Sequence, residues 1–246
     1  CVLGAASGMR AGTAQAIWHT SHRSAFGKRL IEQPLMENVL ADLAVESEAA
    51  TVAALWLARI FEEADSGDAE AQAIRRLATP VLKYWTCKRW PSHAVEALEC
   101  WGGNGYVEEG PMPRLFRESP LLSIWEGSGN VQALDVLRAM VKSPEAVEAF
   151  FGEVDRGTEG DRVLSGFATE TREMLGDLDG IEARARRIVE RMALALQGSL
   201  LVRFGDRGVA DAFLASRIGG DHGGAFGTLP RGLAPGAIVE RHAPRI

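Results

Sequence analysis

One carboxylate in this chain stands where a proton could be transferred. Glu126 follows Trp125 and precedes a Gly-Ser-Gly turn, and a helical pattern with apolar residues at three- and four-residue spacing begins after Asn130. A carboxyl group held against a large aromatic ring and kept from water can serve as a general base. The unpaired N–H groups at a helix start favour an anion or a phosphate nearby. The residues predict a base beside an anion site or, alternatively, an exposed glutamate in a capping loop with Ser128 as the cap.

Two further segments carry residues that could hold a ligand. The connector Arg23–Lys28 combines an arginine, an aromatic and a glycine, which could grip a phosphate or could simply be a basic loop at a helix end. The run Gly102–Tyr106 would let the backbone approach something flat or charged. It lacks the preceding strand and following helix of a dinucleotide fingerprint, so we exclude a Rossmann fold.

Four long amphipathic patterns supply the elements that must position these segments. They cover about residues 2–22, 34–65, 69–101 and 130–142, and we find no strand pattern among residues 1–142. Pro80 and Pro91 are expected to kink or restart the third helix, with Thr79 as a cap. Such helices joined by loops predict an all-α fold, a four-helix up-down bundle over residues 1–142.

A second small helical domain is predicted to follow the bundle. Ser143 and Pro144 mark the boundary, and helical patterns then cover about 143–155, 161–176, 180–204 and 206–217 within a domain of residues 143–218. Residues 219–246 are rich in glycine and proline and are expected to form an irregular tail.

Composition limits the classes of partner. The 246 residues carry a net charge of −6, which gives no general support for binding a polyanion. Arg184, Arg186, Arg187 and Arg191 form a local cluster that reads either as a solvated, salt-bridged face or as a nucleic-acid contact.

The remaining residue patterns predict location and packing. The chain has three cysteines and no apolar run long enough to span a membrane, which favours a reducing, cytoplasmic compartment. The spacing of Cys87, His93 and Cys100 is not that of a zinc site, so we expect no metal site. Trp85, Trp90 and Trp101 are expected in the core, and Lys83, Lys88 and Arg89 on a solvated face. Because the chain begins at Cys1 inside a helical pattern, we expect it to be part of a longer protein.

The segments that could do chemistry occur in a recognisable order. Arg23–Gly27, Gly102–Tyr106, Arg117–Glu118 and Trp125–Asn130 together resemble the C-terminal helical domain of the acyl-CoA dehydrogenase flavoproteins. The resemblance covers residues 1–142. The alkylation-response (AidB-like) branch of that family is the most similar, through Ser123–Asn130 and Asp135–Arg138 together with Gln33–Met36, Thr79–Pro80 and Thr86–Arg89. This branch carries a further helical domain that matches residues 143–217.

The resemblance implies a reaction and a cofactor. Glu126 matches the base that removes the α-proton of an acyl-CoA thioester, while the β-hydrogen leaves as hydride to the flavin of FAD. Trp125 and Gly127 match positions beside the substrate, and Ser128 and Asn130 match flavin-contacting positions.

The resemblance also implies an assembly. Arg23, Phe26 and Gly27 match the segment that reaches the flavin diphosphate of a neighbouring subunit, and Glu99, Gly102 and Gly103 match an adenine-side segment. A homo-oligomer, commonly a dimer of dimers, would then share its cofactor sites across an interface. The family often has glutamine at the positions of Glu99 and Pro34. This difference weakens the contact that the resemblance implies at each of these two positions.

Two consequences concern the chain by itself. The N-terminal helical domain and the middle β domain of the family are not in this sequence, so we expect the isolated chain to have little or no turnover. An alternative function suggested by the branch is a flavin-binding, protective protein associated with double-stranded DNA through residues 143–217.

Overall fold

The protein is almost entirely helical, as predicted. A computed structural model describes residues 1–244. In chain order its helices are α1 (Val2–His22), α2 (Pro34–Asp65), α3 (Ala69–Glu99), α4 (Gly103–Tyr106), α5 (Met112–Glu118), α6 (Gly129–Lys142), α7 (Pro144–Asp155), α8 (Arg162–Gly176), α9 (Ile181–Phe204), α10 (Arg207–Phe213) and α11 (Pro235–His242).

Helices α1, α2, α3 and α6 form the predicted up-down bundle. His93 of α3 donates to the carbonyl of Leu43, and Arg89, one turn earlier, pairs with Glu46, so α3 runs antiparallel to α2. Helix α6 is also antiparallel to α3, because Asp135 pairs with Arg76 near the beginning of α3 while the start of α6 lies farther along it. Local residues determine where two of these helices begin. Pro34 occupies the first turn of α2, and the Asp68 side chain accepts a hydrogen bond from the Ala71 amide at the start of α3.

The later helices pack onto the bundle through a common core. Phe150 of α7 and Ile188 and Met192 of α9 are fully buried in the same apolar cluster as Leu77 and Leu82 of α3. Burying these side chains against α3 supplies the main stabilisation of both regions. Helices α7 and α9 thus rest on α3, while α9 and α10 also pack against α2.

A short hairpin lies where no strand was predicted. Ser24–Ala25 (β1) pairs antiparallel with Lys28–Arg29 (β2), and the two residues between them, Phe26 and Gly27, have positive φ angles of 52° and 86°. This is the geometry of a tight two-residue hairpin turn. Strands of two residues are too short to show the alternating pattern by which a strand is recognised in a sequence.

The prolines of α3 do not restart it as a second helix, so that part of the prediction was wrong. Helix α3 is continuous through Pro80 and Pro91, and Thr79 is not a cap, because its hydroxyl donates to the Arg75 carbonyl one turn back, at 2.7 Å. Tight packing on both sides of Pro80 holds the helix together despite the missing amide donor.

The predicted irregular tail contains a helix. Residues 219–234 are irregular, but α11 follows and packs against α2, so this part of the prediction was wrong. Glu48 of α2 accepts hydrogen bonds from Arg241 and His242 of α11 and from the Asp206 amide. Buried polar contacts of this kind cannot be read from a glycine-rich composition. The last two residues of the tail, 245 and 246, lie outside the described part of the chain.

The predicted solvated face of α3 is mostly buried. Lys88 is exposed as expected, but Lys83 is only 5% exposed and Arg89 forms an ion pair with the buried Glu46. Trp90 is in the core, as predicted, whereas Trp85 and Trp101 are half-buried. Across residues 1–244, no helix is long and apolar enough to cross a membrane.

Candidate active site

The loop that carries Glu126 has an unusual backbone. Glu126 has a φ angle of +54° and Gly127 one of +102°. Positive φ is uncommon for a residue with a side chain, because Cβ then crowds the backbone. At Gly127 a Cβ would also lie 2.7 Å from Gln132 Nε2 and 2.9 Å from a methyl group of Val131. Glycine is required at 127 on both counts.

Two side chains from different helices hold this loop. Gln132 Nε2 of α6 donates to the Glu126 carbonyl oxygen at 2.8 Å and, more weakly, to that of Gly127 at 3.4 Å. Lys83 Nζ of α3 donates to the Gly127 carbonyl oxygen. Burial lowers the pKa of Lys83, although Cys87 and Glu126 act in the opposite direction. The loop is fixed to the bundle by a buried ammonium group.

The Glu126 side chain faces solvent. The carboxylate is exposed, Trp125 is 55% exposed, and the nearest polar group is the thiol of Cys1, 3.9 Å from Oε2. The low water access that a base requires is therefore not provided by residues 1–244 of one chain. The carboxylate therefore lies at an open surface of the chain.

The start of α6 lies beside this carboxylate and is electropositive. Ser128 occupies the N-cap position, but its side chain makes no capping hydrogen bond, contrary to the alternative reading of the loop. A Cβ at Gly129 would lie 2.8 Å from Lys88 Cε and 3.0 Å from Arg186 Nη2, so two cationic side chains pack against this turn. Uncapped amides together with two cations favour an anionic group here.

A second group of predicted residues lies at the far end of α1. Phe26, at the tip of the hairpin, is 95% exposed, and Gly27 beside it meets nothing within 4 Å of an added Cβ. Arg23, which ends α1, is also exposed. The tip therefore presents an aromatic side chain to solvent in a strained conformation.

The end of α3 joins this second group. Trp101 stacks on His19 with ring centroids 4.5 Å apart, and its Nε1 donates to the Gln15 carbonyl, which ties the ends of α1 and α3 together. Glu99, Gly102 and Gly103 are exposed just there, and a Cβ on either glycine would meet nothing within 4 Å.

The structure therefore separates the predicted residues into two groups. Glu126 lies beside Cys1 at the start of α1, whereas Arg23 follows the end of the same helix. Twenty-one helical residues at 1.5 Å each put the two ends roughly 30 Å apart. Trp125–Asn130 forms one group, and the hairpin with Glu99, Gly102 and Gly103 forms the other.

Sequence reasoning missed the side chains that support the loop. Lys83, Gln132 and Arg186 were not assigned to the site, and Lys83 was predicted to be solvated. The helical phase of Lys83, two residues after Val81 and one after Leu82, placed it near the buried face and was the one available signal.

Metal binding has no support among residues 1–244. No group of His, Cys, Asp and Glu there could hold a metal ion. Cys87 and Cys100 are buried free thiols, and burial raises their pKa to about 11 and about 12. They pack as apolar residues, as predicted.

Known proteins match both the sequence and this fold. Residues 1–141 match the family model of the acyl-CoA dehydrogenase C-terminal domain. The putative acyl-CoA dehydrogenase AidB of Escherichia coli K12 is 36% identical over 87% of this chain and 39% of its own length. Acyl-CoA dehydrogenase family member 11 of Caenorhabditis elegans is 30% identical over 74% of this chain and 29% of its own length. The chain thus spans less than half the length of these relatives.

Solved structures extend the match beyond the bundle. C. elegans ACDH-11, in complex with C11-CoA, superposes with a TM-score of 0.79 at 26% identity, over 88% of this chain and 41% of that one. An acyl-CoA dehydrogenase of Bacillus anthracis complexed with FAD has a TM-score of 0.65 at 16% identity over 88% of this chain and 45% of its own, which shows the fold alone. With its bundle matched over residues 1–141, this chain belongs to the acyl-CoA dehydrogenase family.

Proposed function

We propose that the chain is the C-terminal part of an FAD-dependent acyl-CoA dehydrogenase in which Glu126 is the base. The observation that carries the proposal is the fixed left-handed backbone at Glu126. Such a conformation is retained where surrounding contacts impose it, and strained residues of this kind cluster at functional sites. Here the contacts come from Lys83 and Gln132, and they present the carboxylate to open space at the start of α6.

FAD is the cofactor that family membership indicates, and the exposed residues fit it. The uncapped turn at Ser128–Asn130, with Lys88 and Arg186 beside it, suits an electron-rich group. Phe26 offers a flat apolar face, and Gly102 and Gly103 leave their backbone open to a close approach. When bound, the flavin supplies the acceptor for a hydride.

The residues of this chain would then perform a limited set of tasks. Glu126 takes the α-proton of the acyl thioester, and Trp125 and Gly127 line the position of the substrate. Because Glu126 and Trp125 are exposed, further protein surface must exclude water before the carboxylate can act efficiently. We therefore expect the isolated chain to have little or no turnover.

The separation of the two residue groups supports a shared site. Roughly 30 Å along α1 divides Glu126 from Arg23, Phe26 and Gly27. We infer that the hairpin and the adenine-side residues Glu99, Gly102 and Gly103 serve the flavin of a neighbouring subunit, in a homo-oligomer such as a dimer of dimers. The acyl-CoA bound to the C. elegans relative supports an acyl-CoA as the substrate class.

The arginines of α9 give little support to the DNA-associated alternative. Arg184 pairs with Asp177, Arg191 pairs with Glu170 and lies over Phe167, and Arg186 packs against Gly129. These contacts match the salt-bridged face that the sequence allowed, so we do not advance the alternative. The free thiols of Cys1, Cys87 and Cys100 support a cytoplasmic location as part of the proposal.

The direct test is a visible absorption spectrum of the full-length protein, titrated anaerobically with acyl-CoA thioesters of increasing chain length. Bleaching of a bound flavin by one range of chain lengths is the expected result, and it would identify the substrate class. A bound flavin that no thioester bleaches would contradict the proposed reaction. A purified protein without flavin would contradict the cofactor as well.

A further inference from the structure

Lys83 is a buried cation with few partners. Its residue is 5% exposed, and its one hydrogen bond among residues 1–244 goes to a neutral acceptor, the Gly127 carbonyl oxygen. No carboxylate in that range forms an ion pair with it. An ammonium group has three donors, and burying its charge without a counter-ion is costly. Because burying this ammonium group lowers the stability of the fold, Lys83 is a candidate for a functional role.

The carbonyl that Lys83 binds belongs to the residue after the proposed base. Gln132 also supports this loop, but it lies on α6, the helix that directly follows the loop in the chain. Lys83 comes from α3 and is the cross-link that ties the loop to the rest of the bundle. Without it, the positive φ angles of Glu126 and Gly127 would be imposed by local contacts alone.

The titratable groups around Lys83 come from three elements. Cys87 lies one turn later on α3, Glu126 lies on the loop, and Cys1 begins the chain beside it. Lys88 and Arg186 lie farther along, against Gly129. Of these groups, Glu126 lies on the loop whose Gly127 carbonyl Lys83 holds.

We propose that Lys83 is a positioning residue for the proposed dehydrogenation. Its ammonium group holds the Gly127 carbonyl, which keeps Glu126 in its left-handed conformation and so presents the carboxylate to the substrate. The effect on the reaction rests on the proposed function, whereas the hold on the loop is a property of the chain itself.

The test compares substitutions at Lys83 in the full-length protein. Lys83→Met removes both the charge and the donors at similar length, Lys83→Gln keeps a donor without the charge, and Lys83→Arg keeps the charge. Lys142→Met, at the exposed far end of α6, is the matched control. Hydrogen–deuterium exchange of peptides covering residues 124–130 is measured first, because it needs neither flavin nor turnover.

The expected results differ between the variants. In Lys83→Met, loop amides exchange about tenfold faster and kcat falls about tenfold or more, with KM changed by less than about threefold, because a displaced base loses the productive geometry. Lys83→Arg, which still carries donors for the Gly127 carbonyl, restores kcat to within about threefold of the wild type. The exchange of Lys83→Gln stays near that of the wild type, and the control changes nothing.

Two results would overturn the proposal. Unchanged loop exchange in Lys83→Met would show that Lys83 does not hold the loop. Faster exchange with an unchanged kcat would reduce Lys83 to a structural residue. If the wild-type flavin is bleached by no acyl-CoA, the proposed function fails, and the exchange data still decide whether Lys83 holds the loop.

Discussion

Glu126, the proposed base, is held in a backbone conformation that costs stability. Its left-handed backbone is unfavourable for a residue with a side chain, and it is maintained by hydrogen bonds to its own carbonyl and to the next one. The side chain makes one weak contact, to the Cys1 thiol, so its freedom to meet a substrate is retained.

Replacing this carboxylate tests its role directly. In the full-length protein we expect Glu126→Gln to lower kcat by roughly a thousandfold, because the amide cannot accept the α-proton. Steady-state turnover with the best acyl-CoA measures the loss, and the absorption spectrum checks that flavin is still bound. Glu145→Gln, an exposed acid in the first turn of α7, is the control. Turnover within tenfold of the wild type would remove Glu126 as the base.

His93 is a second residue whose environment has measurable consequences. It is fully buried, its Nε2 donates to the Leu43 carbonyl at 3.1 Å and lies 3.2 Å from the Thr13 hydroxyl, and burial lowers its pKa to about 4. In the unfolded chain the imidazole takes up a proton near its ordinary pKa of 6.5. Its contribution to the free energy of unfolding is therefore complete above pH 6.5 and is lost as the pH falls to about 4.

We expect urea denaturation to show this loss. The free energy of unfolding should decrease steadily between about pH 6.5 and pH 4, and His93→Gln should make that slope shallower, because glutamine does not titrate. Some slope should remain, since burial lowers the pKa of His19 as well. An identical slope in the variant would mean that His93 is already protonated in the folded protein.

At the scale of elements, α3 organises the molecule. Its continuity through Pro80 and Pro91 lets one helix carry Lys83 at the Glu126 loop and end at Glu99 beside the hairpin. A break at Pro91, which lies between Lys83 and Glu99, would uncouple the two residue groups. Lys83 and Glu99 are separated by about 24 Å along this helix at 1.5 Å per residue, which sets the spacing between the two groups.

Glu48 connects three elements and predicts a stability effect. Burial by itself raises the pKa of Glu48, but hydrogen bonds from His242, from Arg241 and from the Asp206 amide outweigh it and lower the pKa to about 2. Because the folded-state pKa is depressed, this stabilisation is present above about pH 4.5 and is lost as the pH falls towards 2.

We expect Glu48→Gln to destabilise the protein by about 3 kcal/mol at neutral pH, since it removes the buried carboxylate that accepts hydrogen bonds from Arg241, His242 and the Asp206 amide. Urea denaturation measures the loss. Limited proteolysis should show faster cleavage within residues 219–234, where α11 is released from α2. Glu240→Gln, an exposed acid on α11 itself, should leave both measurements unchanged. Equal stability of Glu48→Gln and wild type would show that apolar packing alone holds α11.

At the scale of the whole molecule, one chain presents two incomplete surfaces. The Glu126 loop and the hairpin face solvent at opposite ends of α1, so a complete site at either surface requires more protein. A symmetric oligomer would supply one surface from each of two copies.

Mixing two inactive full-length variants tests this arrangement. Glu126→Gln and Arg23→Ala should each lose activity. In a random one-to-one mixture of subunits about half of the dimers are mixed, and each mixed dimer keeps one intact site of two, so about a quarter of the wild-type activity should return. Arg207→Ala, an exposed arginine of α10, is the control for the effect of the exchange procedure. A mixture no more active than its parents would show that both residues serve a site within one subunit.

Much of this protein was predictable from local sequence. The long helices follow from apolar spacing, their starts from Pro34 and Asp68, and the family from segments whose order does not depend on how the chain folds. These are properties of neighbouring residues, which periodicity and capping chemistry specify directly.

The tertiary structure alone decided the surroundings of those residues. The helical phase of Lys83 places it near the buried face, but its partner, the Gly127 carbonyl, comes from 44 residues away. The helix is continuous through Pro80, where residues on both sides are buried. Likewise, the distance between Glu126 and Arg23 depends on α1 lying between them. Burial, long-range hydrogen bonds and separation arise from contacts between distant parts of the chain, and no local pattern encodes them.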